Sequence, residues 1–469
     1  MENFKVSDVI NATAGSLERG NPNTEISNIS TDSRTIKEGD LFVALIGENF
    51  DGHDFANQAI EKGAMGIVVS HEIQGFGDSI KTRTANPCII IVKDTTLALG
   101  DIAKYYRDRF NIPFIGITGS NGKTTTKDMA SAVLSGKFNV IKSEGNLNNT
   151  IGLPLTLFRL SSDHQIAVLE MGISIPGEMS QLVRIAQPNV GVVTNISSTH
   201  LEFLGSIEGV AREKQKLVEF SKTAVLNADD PLVAEMSDVV KGDVVFYGIE
   251  KPSDVMASEV ILDQDGRPEF TVSVKNPIIA QERIKLPSIG QHNIYNALAG
   301  IAVGVIFGIE IDIIKSSLEA YHPMSMRMQR LIIDGVTVIN DTYNSNPTSM
   351  KMAVDFLKGL ESDGRKILVV GDMLELGDQS DELHDSIGKY IGESDTVKTL
   401  VTVGKKASII AESTIKSGIS KDIVIVCEDN SEASNHLRKL LKSGDIVLIK
   451  GSRGMKMEGI VKSLQEGNA

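Results

Sequence analysis

Cysteine is almost absent from the chain: only Cys88 and Cys427 occur among 469 residues. Each lies at or near a β-like segment, and together they form neither a metal-ligand spacing nor a disulfide framework. Both read as small buried thiols of a protein kept in a reducing compartment. Long apolar runs are missing too: nothing approaches the ~18 uninterrupted residues of a spanning helix. The opening MENFKVSDVINA has no basic segment followed by an apolar one, so it is not expected to be a secretion signal. The expected compartment is therefore the cytoplasm. Positive charge is in deficit, with 47 Lys and Arg against 61 Asp and Glu and a net charge of −14. That balance argues against general binding to nucleic acid or anionic membranes, whose phosphates attract Lys and Arg, but leaves room for a local basic pocket. There is no internal repeat and no low-complexity tract.

What is present is an ordinary globular composition, 41% apolar and 23% charged, in a chain too long for one core. Three regions emerge, and the fold class expected is α/β in three domains. Residues 1–108 mix short strands with helical segments and read as a small α/β domain. Residues 109–320 carry apolar strands at Phe114–Thr118, Ala167–Met171, Val190–Ile196 and Ala224–Asn227, separated by helix-length segments. Strands apolar on both faces suit a parallel sheet covered by helices, and the glycine turn GSNGKTTT between the first of them and its helix makes this the expected central P-loop ATPase domain. Strand signals over 242–288 suggest an antiparallel extension, and a long Ala-rich helix follows from about Asn293. Residues 321–469 restart the pattern with Lys366–Gly371, Leu400–Gly404, Ile423–Cys427 and Ile446–Gly451, a Rossmann-like C-terminal domain.

The chemistry starts at FIGIT-GSNGKTTT, a strand running through a glycine turn into a helix. Backbone N–H groups and the helix dipole in such a turn hold phosphate oxygens. Gly119, Ser120, Asn121, Gly122, Lys123, Thr124 and Thr125 are thus expected to bind ATP or GTP. Lys123 would reach the terminal phosphates, and Thr124 would offer its hydroxyl to Mg²⁺. The spacing departs from the ordinary Walker pattern, which wants glycine where Ile117 stands. Two further groups fall at the carboxyl edge of the same sheet. Glu170 ends the strand AVLE, where a carboxylate after three apolar residues needs a partner such as Mg²⁺. His200 lies a few residues beyond the next strand, and beside a phosphate loop it too reads as a ligand. Lys214, among Arg212 and Lys216 on a helix, reads from the residues alone as a solvated surface lysine.

The motifs TGSNGKT, GNLNNTIGLPLTL, LEMGISIPGEM, GQHNIYNALAG, DTYNSNPTSM, GDMLELG with its following His384, and KGSRGM resemble those of the Mur ligase family. That family adds amino acids to the muramoyl peptide of peptidoglycan precursors. The resemblance runs from residue 31 to residue 456 and includes the displaced glycine of the loop. DTYNSNP is most similar to the branch that joins D-alanyl-D-alanine to UDP-MurNAc-tripeptide.

The resemblance implies ATP and Mg²⁺ as cofactors, with Thr124, Glu170, His200 and Lys214 at the metal. Lys214 matches the family lysine that is carbamylated, although the usual K-G-E is Lys214-Gln215-Lys216 here. A lysine cation at ~4 Å from a metal charge would cost roughly 4 kcal/mol per unit charge pair at an effective dielectric constant near 20, and a carbamate reverses that sign. Lys123, Lys214, Glu170 and His200 are the implied catalytic group. His292, Asn293 and Asn296 fall on the adenine side, and Asn293 and Asn296 lie three apart at a helix start, so both can face one base. Arg327 and Asp341 correspond to phosphate and ribose contacts brought by the third domain on closure. Asp32, Ser33 and Arg34, together with DGHDF at 51–55, resemble the UDP-sugar segment of the first domain. Asn149, Tyr343, Asn344, Asn346, Lys450 and Arg453 are the remaining implied substrate contacts, Arg453 being able to hold a carboxylate bidentately. His384 has no role assignable from sequence. The partners implied are the two small-molecule substrates, with no nucleic acid and no membrane span, and the chain is expected to be a monomer. The competing readings are a different ligase of the same superfamily, such as a folate polyglutamate synthase, a P-loop switch or motor, and a non-catalytic nucleotide-binding scaffold.

Overall fold

The computed structural model describes residues 1–73, 87–275, 280–362, 364–394 and 396–467. Three sheets organise them. The first has five strands, β1 (Ser16–Arg19), β2 (Asn28–Ser30), β3 (Asp40–Val43), β4 (Gly66–Val69) and β5 (Cys88–Ile91), in the order β1-β5-β4-β3-β2. Only β1 runs antiparallel to its neighbour. The strand-like LFVALIG stops at Val43, because the Leu45 carbonyl accepts from Gly52 N–H (2.8 Å) and turns the chain back. The helix Thr95–Arg107 leaves this sheet with Asp94 as its cap, whose carboxylate accepts from the N–H groups of Thr96 and Leu97 (2.8 Å each). Its Leu99, Ile102 and Tyr106 join Leu41 and Val68 of the first sheet to Leu157, Leu182 and Ile185 beyond it in one continuous core. No helix among the described residues is long and apolar enough to cross a membrane.

The central sheet has nine strands in the order β14-β13-β12-β11-β10-β9-β6-β8-β7. They are β6 (Phe114–Thr118), β7 (Val140–Lys142), β8 (Ile166–Glu170), β9 (Val190–Val193), β10 (Thr223–Asn227), β11 (Asp243–Gly248), β12 (Val255–Leu262), β13 (Pro268–Val274) and β14 (Ala280–Lys285). The strands from β7 to β12 pair in parallel, and β13 and β14 form the antiparallel extension. β6, β8 and β9 are buried along their whole length, as a parallel sheet covered on both faces requires. On one face the helices Lys123–Ser135 and His292–Ile306 pack Met129, Val133, Ala297 and Ile301 into the core.

The third sheet follows the order β15-β16-β20-β17-β18-β19, from β15 (Gln329–Ile333), β16 (Val336–Asp341), β17 (Lys366–Gly371), β18 (Thr399–Val403), β19 (Val424–Cys427) and β20 (Ile446–Lys450). Here β15 is antiparallel and the rest are parallel. The carboxyl ends of β16 and β20, Asp341 and Lys450, line the same cavity as the carboxyl end of β8, Glu170. Parallel α/β sheets open their ligand crevice at that edge, and here two sheets open theirs toward one another.

Candidate active site

The phosphate loop is shaped from behind by the chain that follows β9. Asn195 accepts from Ser120 N–H through its carbonyl (2.8 Å) and from Asn121 N–H through its side chain (2.9 Å). Thr194 Oγ1 donates to the Asn121 carbonyl (2.6 Å). Gly119 (φ 147°) and Gly122 (φ 81°) hold left-handed backbone, and an added Cβ would lie 1.8 Å from Thr194 Oγ1 and 2.3 Å from Asn296 Oδ1 respectively. Both positions therefore exclude a side chain. With the N–H groups of Ser120 and Asn121 committed to Asn195, the anion cradle moves to the first turn of the helix Lys123–Ser135, whose leading N–H groups a helix cannot pair internally. Lys123 Nζ donates to the carbonyls of Gly119 (2.7 Å) and Ser120 (3.2 Å), and burial lowers its pKa while Glu170 pulls the other way.

Glu170 is 2% exposed and sits at the centre of a small network. Its Oε1 accepts from Thr124 Oγ1 (3.2 Å) and Asn148 Nδ2 (2.9 Å). Its Oε2 has no hydrogen-bond partner, and the nearest cation, Lys127 Nζ, lies 3.9 Å away while donating to the Ser143 carbonyl. An orphaned carboxylate oxygen beside a threonine hydroxyl is a hard-oxygen donor set, the kind that fits Mg²⁺. His200 lines the same cavity. Its Nδ1 lies 2.6 Å from Glu375 Oε2 but has no aligned hydrogen bond, so the contact is ionic in distance and off the N–H direction. The imidazole beside Glu375 holds that carboxyl below the usual range.

The third domain reaches the loop directly. Arg327 Nη2 donates to Thr124 Oγ1 (2.8 Å), and its guanidinium stacks 3.8 Å over the Tyr343 ring. Asn346 Nδ2 donates to Asn121 Oδ1 (2.7 Å). Asp341, Asn344, Lys450 and Arg453 line the cavity but are engaged with one another and with Glu458. Lys450 Nζ donates to Asp341 Oδ2 (2.6 Å) and the Asn344 carbonyl (3.0 Å), and Arg453 pairs with Glu458 (2.9 Å). On the opposite wall Asn296 Nδ2 donates to Asn293 Oδ1 (2.9 Å), and Thr126 Oγ1 donates to Asn296 Oδ1 (3.1 Å), so the two amides share one face. Burial lowers the pKa of His292, which keeps that imidazole neutral. The cavity these groups enclose measures about 370 Å³ and is walled by both domains.

Several expected residues lie elsewhere or act differently. Lys214 is not a surface lysine: it is 1% exposed, and desolvation, then repulsion from Lys123, push its pKa well below the lysine value. The helix Ile207–Phe220 turns it inward, while its neighbour Glu213 accepts from Gly177 and Met179 N–H (3.0 and 3.1 Å) and pairs with Lys216 (2.5 Å). Asp32, Ser33 and Arg34 are outside the cavity. Arg34 binds Asp32 at the surface and holds its carboxyl down to about 2, and Ser33 Oγ donates to Gln58 Oε1 (2.7 Å). Asn149 lines the cavity yet spends its Oδ1 on Ile151 and Gly152 N–H (3.2 and 2.9 Å), so its neighbour Asn148 is the one that meets Glu170. Lys127, Asn148 and Glu375 were missed by sequence reasoning. Lys127 had a signal, since it stands four residues after Lys123 on the same helix face. Nothing in GNLNNT distinguishes which asparagine points inward.

Comparison with known proteins agrees with this architecture along the chain. Residues 25–107 match the family description "Mur ligase family, catalytic domain", residues 117–304 "Mur ligase middle domain" and residues 326–453 "Mur ligase, glutamate ligase domain". The UDP-N-acetylmuramoyl-tripeptide–D-alanyl-D-alanine ligase of Bacillus subtilis is 38% identical over 448 residues, covering 94% of each chain. The Escherichia coli protein of the same name is 34% identical, covering 93% of each chain. A crystal structure of MurF from Acinetobacter baumannii superposes with a TM-score of 0.88 at 31% identity over 99% of each chain. MurF from Thermotoga maritima in complex with ADP gives a TM-score of 0.80 at 29% identity, covering 94% of this chain and 97% of that one.

Proposed function

The chain belongs to the Mur ligase family, and from that premise we propose that it joins D-alanyl-D-alanine to UDP-MurNAc-tripeptide at the expense of ATP. The products are UDP-MurNAc-pentapeptide, ADP and phosphate, in the cytoplasmic phase of peptidoglycan synthesis. The observation that carries the reading is the shared cavity, in which Arg327 of the third domain donates to Thr124 of the phosphate loop (2.8 Å). Residues 1–108 take the UDP-sugar, with Asp32, Ser33 and Arg34 as contacts. Residues 109–320 hold ATP, and residues 321–469 bind D-alanyl-D-alanine and close over the nucleotide.

The terminal carboxylate of the tripeptide attacks the γ-phosphorus of ATP, giving an acyl phosphate and ADP. The free amine of D-alanyl-D-alanine then adds to the acyl carbon, and phosphate leaves from the tetrahedral intermediate. Both early reactants are anionic, so cations must offset their repulsion. Lys123, held on the carbonyls of Gly119 and Ser120, and Arg327, on Thr124, line the cavity as the cations for that purpose, while Lys127 lies buried behind Glu170. Thr124, Glu170 and His200, with Lys214 once carbamylated, would hold Mg²⁺, whose charge when bound neutralises phosphate oxygens. Lys214 suits that modification because only a neutral amine captures CO₂, and desolvation, with repulsion from Lys123, shifts it toward the neutral form. His292, Asn293 and Asn296 face the adenine, and Asp341 the ribose. Arg327, Tyr343 and Asn346 line one wall of the cavity, and closure of that wall would keep out the water that hydrolyses an acyl phosphate.

The direct test is phosphate release from MgATP, UDP-MurNAc-tripeptide and D-alanyl-D-alanine with each component omitted in turn. Release that requires all three, with the pentapeptide product seen by mass, supports the reading. Release indifferent to D-alanyl-D-alanine returns the chain to a general P-loop ATPase.

A further inference from the structure

Two non-glycine residues in left-handed backbone meet across the seam between the central and third domains. His200 (φ 54°) precedes the short helix Leu201–Leu204, and Glu375 (φ 63°) sits in the loop after β17. Such backbone is costly for residues with a Cβ and persists where surrounding contacts over-determine it. The seam is tight as well as strained. Glu202 N–H lies 3.4 Å from the Glu375 carbonyl, and a Cβ on Gly377 (φ 57°) would stand 3.0 Å from Glu202 Cα.

The loop that carries Glu375 is built with care. His384 is fully buried, accepts from Met373 N–H through Nε2 (3.0 Å) and donates from Nδ1 to the Ser380 carbonyl (2.6 Å). Ser452 Oγ accepts from Leu374 N–H (2.9 Å), which ties the loop to the end of β20. This gives His384, otherwise without a role, a mechanical one: it pins both sides of the turn that presents Glu375. The outcome is a carboxylate 2.6 Å from His200 Nδ1, close but not aligned as a hydrogen bond, and neither ring nitrogen of His200 is hydrogen-bonded among the described residues.

We propose that Glu375 is a positioning residue for His200, delivered by the third domain: closure rotates the 2.6 Å pair into line, so that the carboxylate takes Nδ1–H and leaves Nε2 as the ring's free acceptor in the cavity. A histidine that ligates through one nitrogen is set in tautomer and ring orientation by the acceptor on the other. Here the acceptor comes from a different domain, so the competence of His200 depends on closure. The proposal rests on the ligase reading for the task of His200, but its physical content is separable from it.

The test uses the full chain with Mn²⁺ as the probe metal in the presence of ADP, following free Mn²⁺ by paramagnetic resonance. Glu375→Gln is expected to weaken Mn²⁺ binding roughly ten-fold or more, and to lower kcat with KM for the UDP-peptide unchanged. Glu375→Asp is expected to recover part of both. In a His200→Ala background, Glu375→Gln is expected to add nothing, because a residue acting only through His200 has no further route. Parental Mn²⁺ affinity in Glu375→Gln, or an undiminished further loss in the His200→Ala background, overturns the proposal. Because Mn²⁺ binding needs no acceptor, a parent protein that fails to ligate refutes the functional reading while this outcome still decides the role of Glu375.

Discussion

At Lys214 the chain buries an ammonium site beside a second one, Lys123, and desolvation is the larger of the two costs. Its folded-state pKa lies well below 10.5, so between that depressed value and 10.5 the unfolded chain holds a proton that the folded chain lacks. Stability contributed at this site therefore rises with pH across that window and is lowest below it. Lys214→Met, which has no proton to lose, is expected to exceed the parent in stability near neutral pH in CO₂-free buffer. Its margin should shrink by roughly 1.4 kcal/mol per pH unit on the way up. Urea unfolding at several pH values measures this, and a margin flat in pH contradicts the buried neutral amine. The same lysine is expected to be indispensable to turnover. Lys214→Ala should lower kcat by about 100-fold or more, ~2.7 kcal/mol of barrier, with partial recovery on adding formate or acetate as a detached carboxylate. Activity unchanged in that variant removes Lys214 from the machinery.

Among the elements, the helix Ile207–Phe220 shows why its inward face escaped sequence reasoning. Arg212, Lys214 and Lys216 look like one solvated stripe, yet Glu213 and Lys214 are both buried. Glu213 does so by capping the helix Glu178–Ala186 from outside, a contact between residues 34 and 36 positions apart that no local pattern encodes. Glu213→Ala should cost about 1–3 kcal/mol by leaving two N–H groups without their acceptor, measured by denaturant unfolding. A loss below a few tenths would mean water replaces the cap. The strands were far more legible, because full burial writes itself as an uninterrupted apolar run. Lys366–Gly371 is strand over its whole expected length, and Phe114–Thr118 likewise. Differences fall where a tertiary contact ends a run early. Val190–Ile196 stops as strand at Val193, because Thr194 and Asn195 turn to hold the phosphate loop.

For the molecule as a whole, the site is a meeting of parts that are remote in sequence. Thr124 and Arg327 are 203 positions apart, and Asn121 and Asn346 are 225 apart. Motif reading could place each group on its own sheet edge but not pair them across the seam, which is why Glu375 was missed. If Arg327 joins closure to phosphate binding, Arg327→Met should raise KM for ATP and lower kcat/KM by about 10- to 100-fold, ~1.4–2.7 kcal/mol, with unfolding stability near that of the parent. Equal kinetics would detach the third domain from ATP. The central claim is that ATP activates a carboxylate rather than water. Its sharpest test places ¹⁸O in both oxygens of the terminal carboxylate of UDP-MurNAc-tripeptide and follows the label through one turnover with D-alanyl-D-alanine. Attack on the γ-phosphorus by that carboxylate sends one labelled oxygen into the released phosphate and leaves the other in the new amide carbonyl. Unlabelled phosphate, with both labels still on the peptide, would contradict the account.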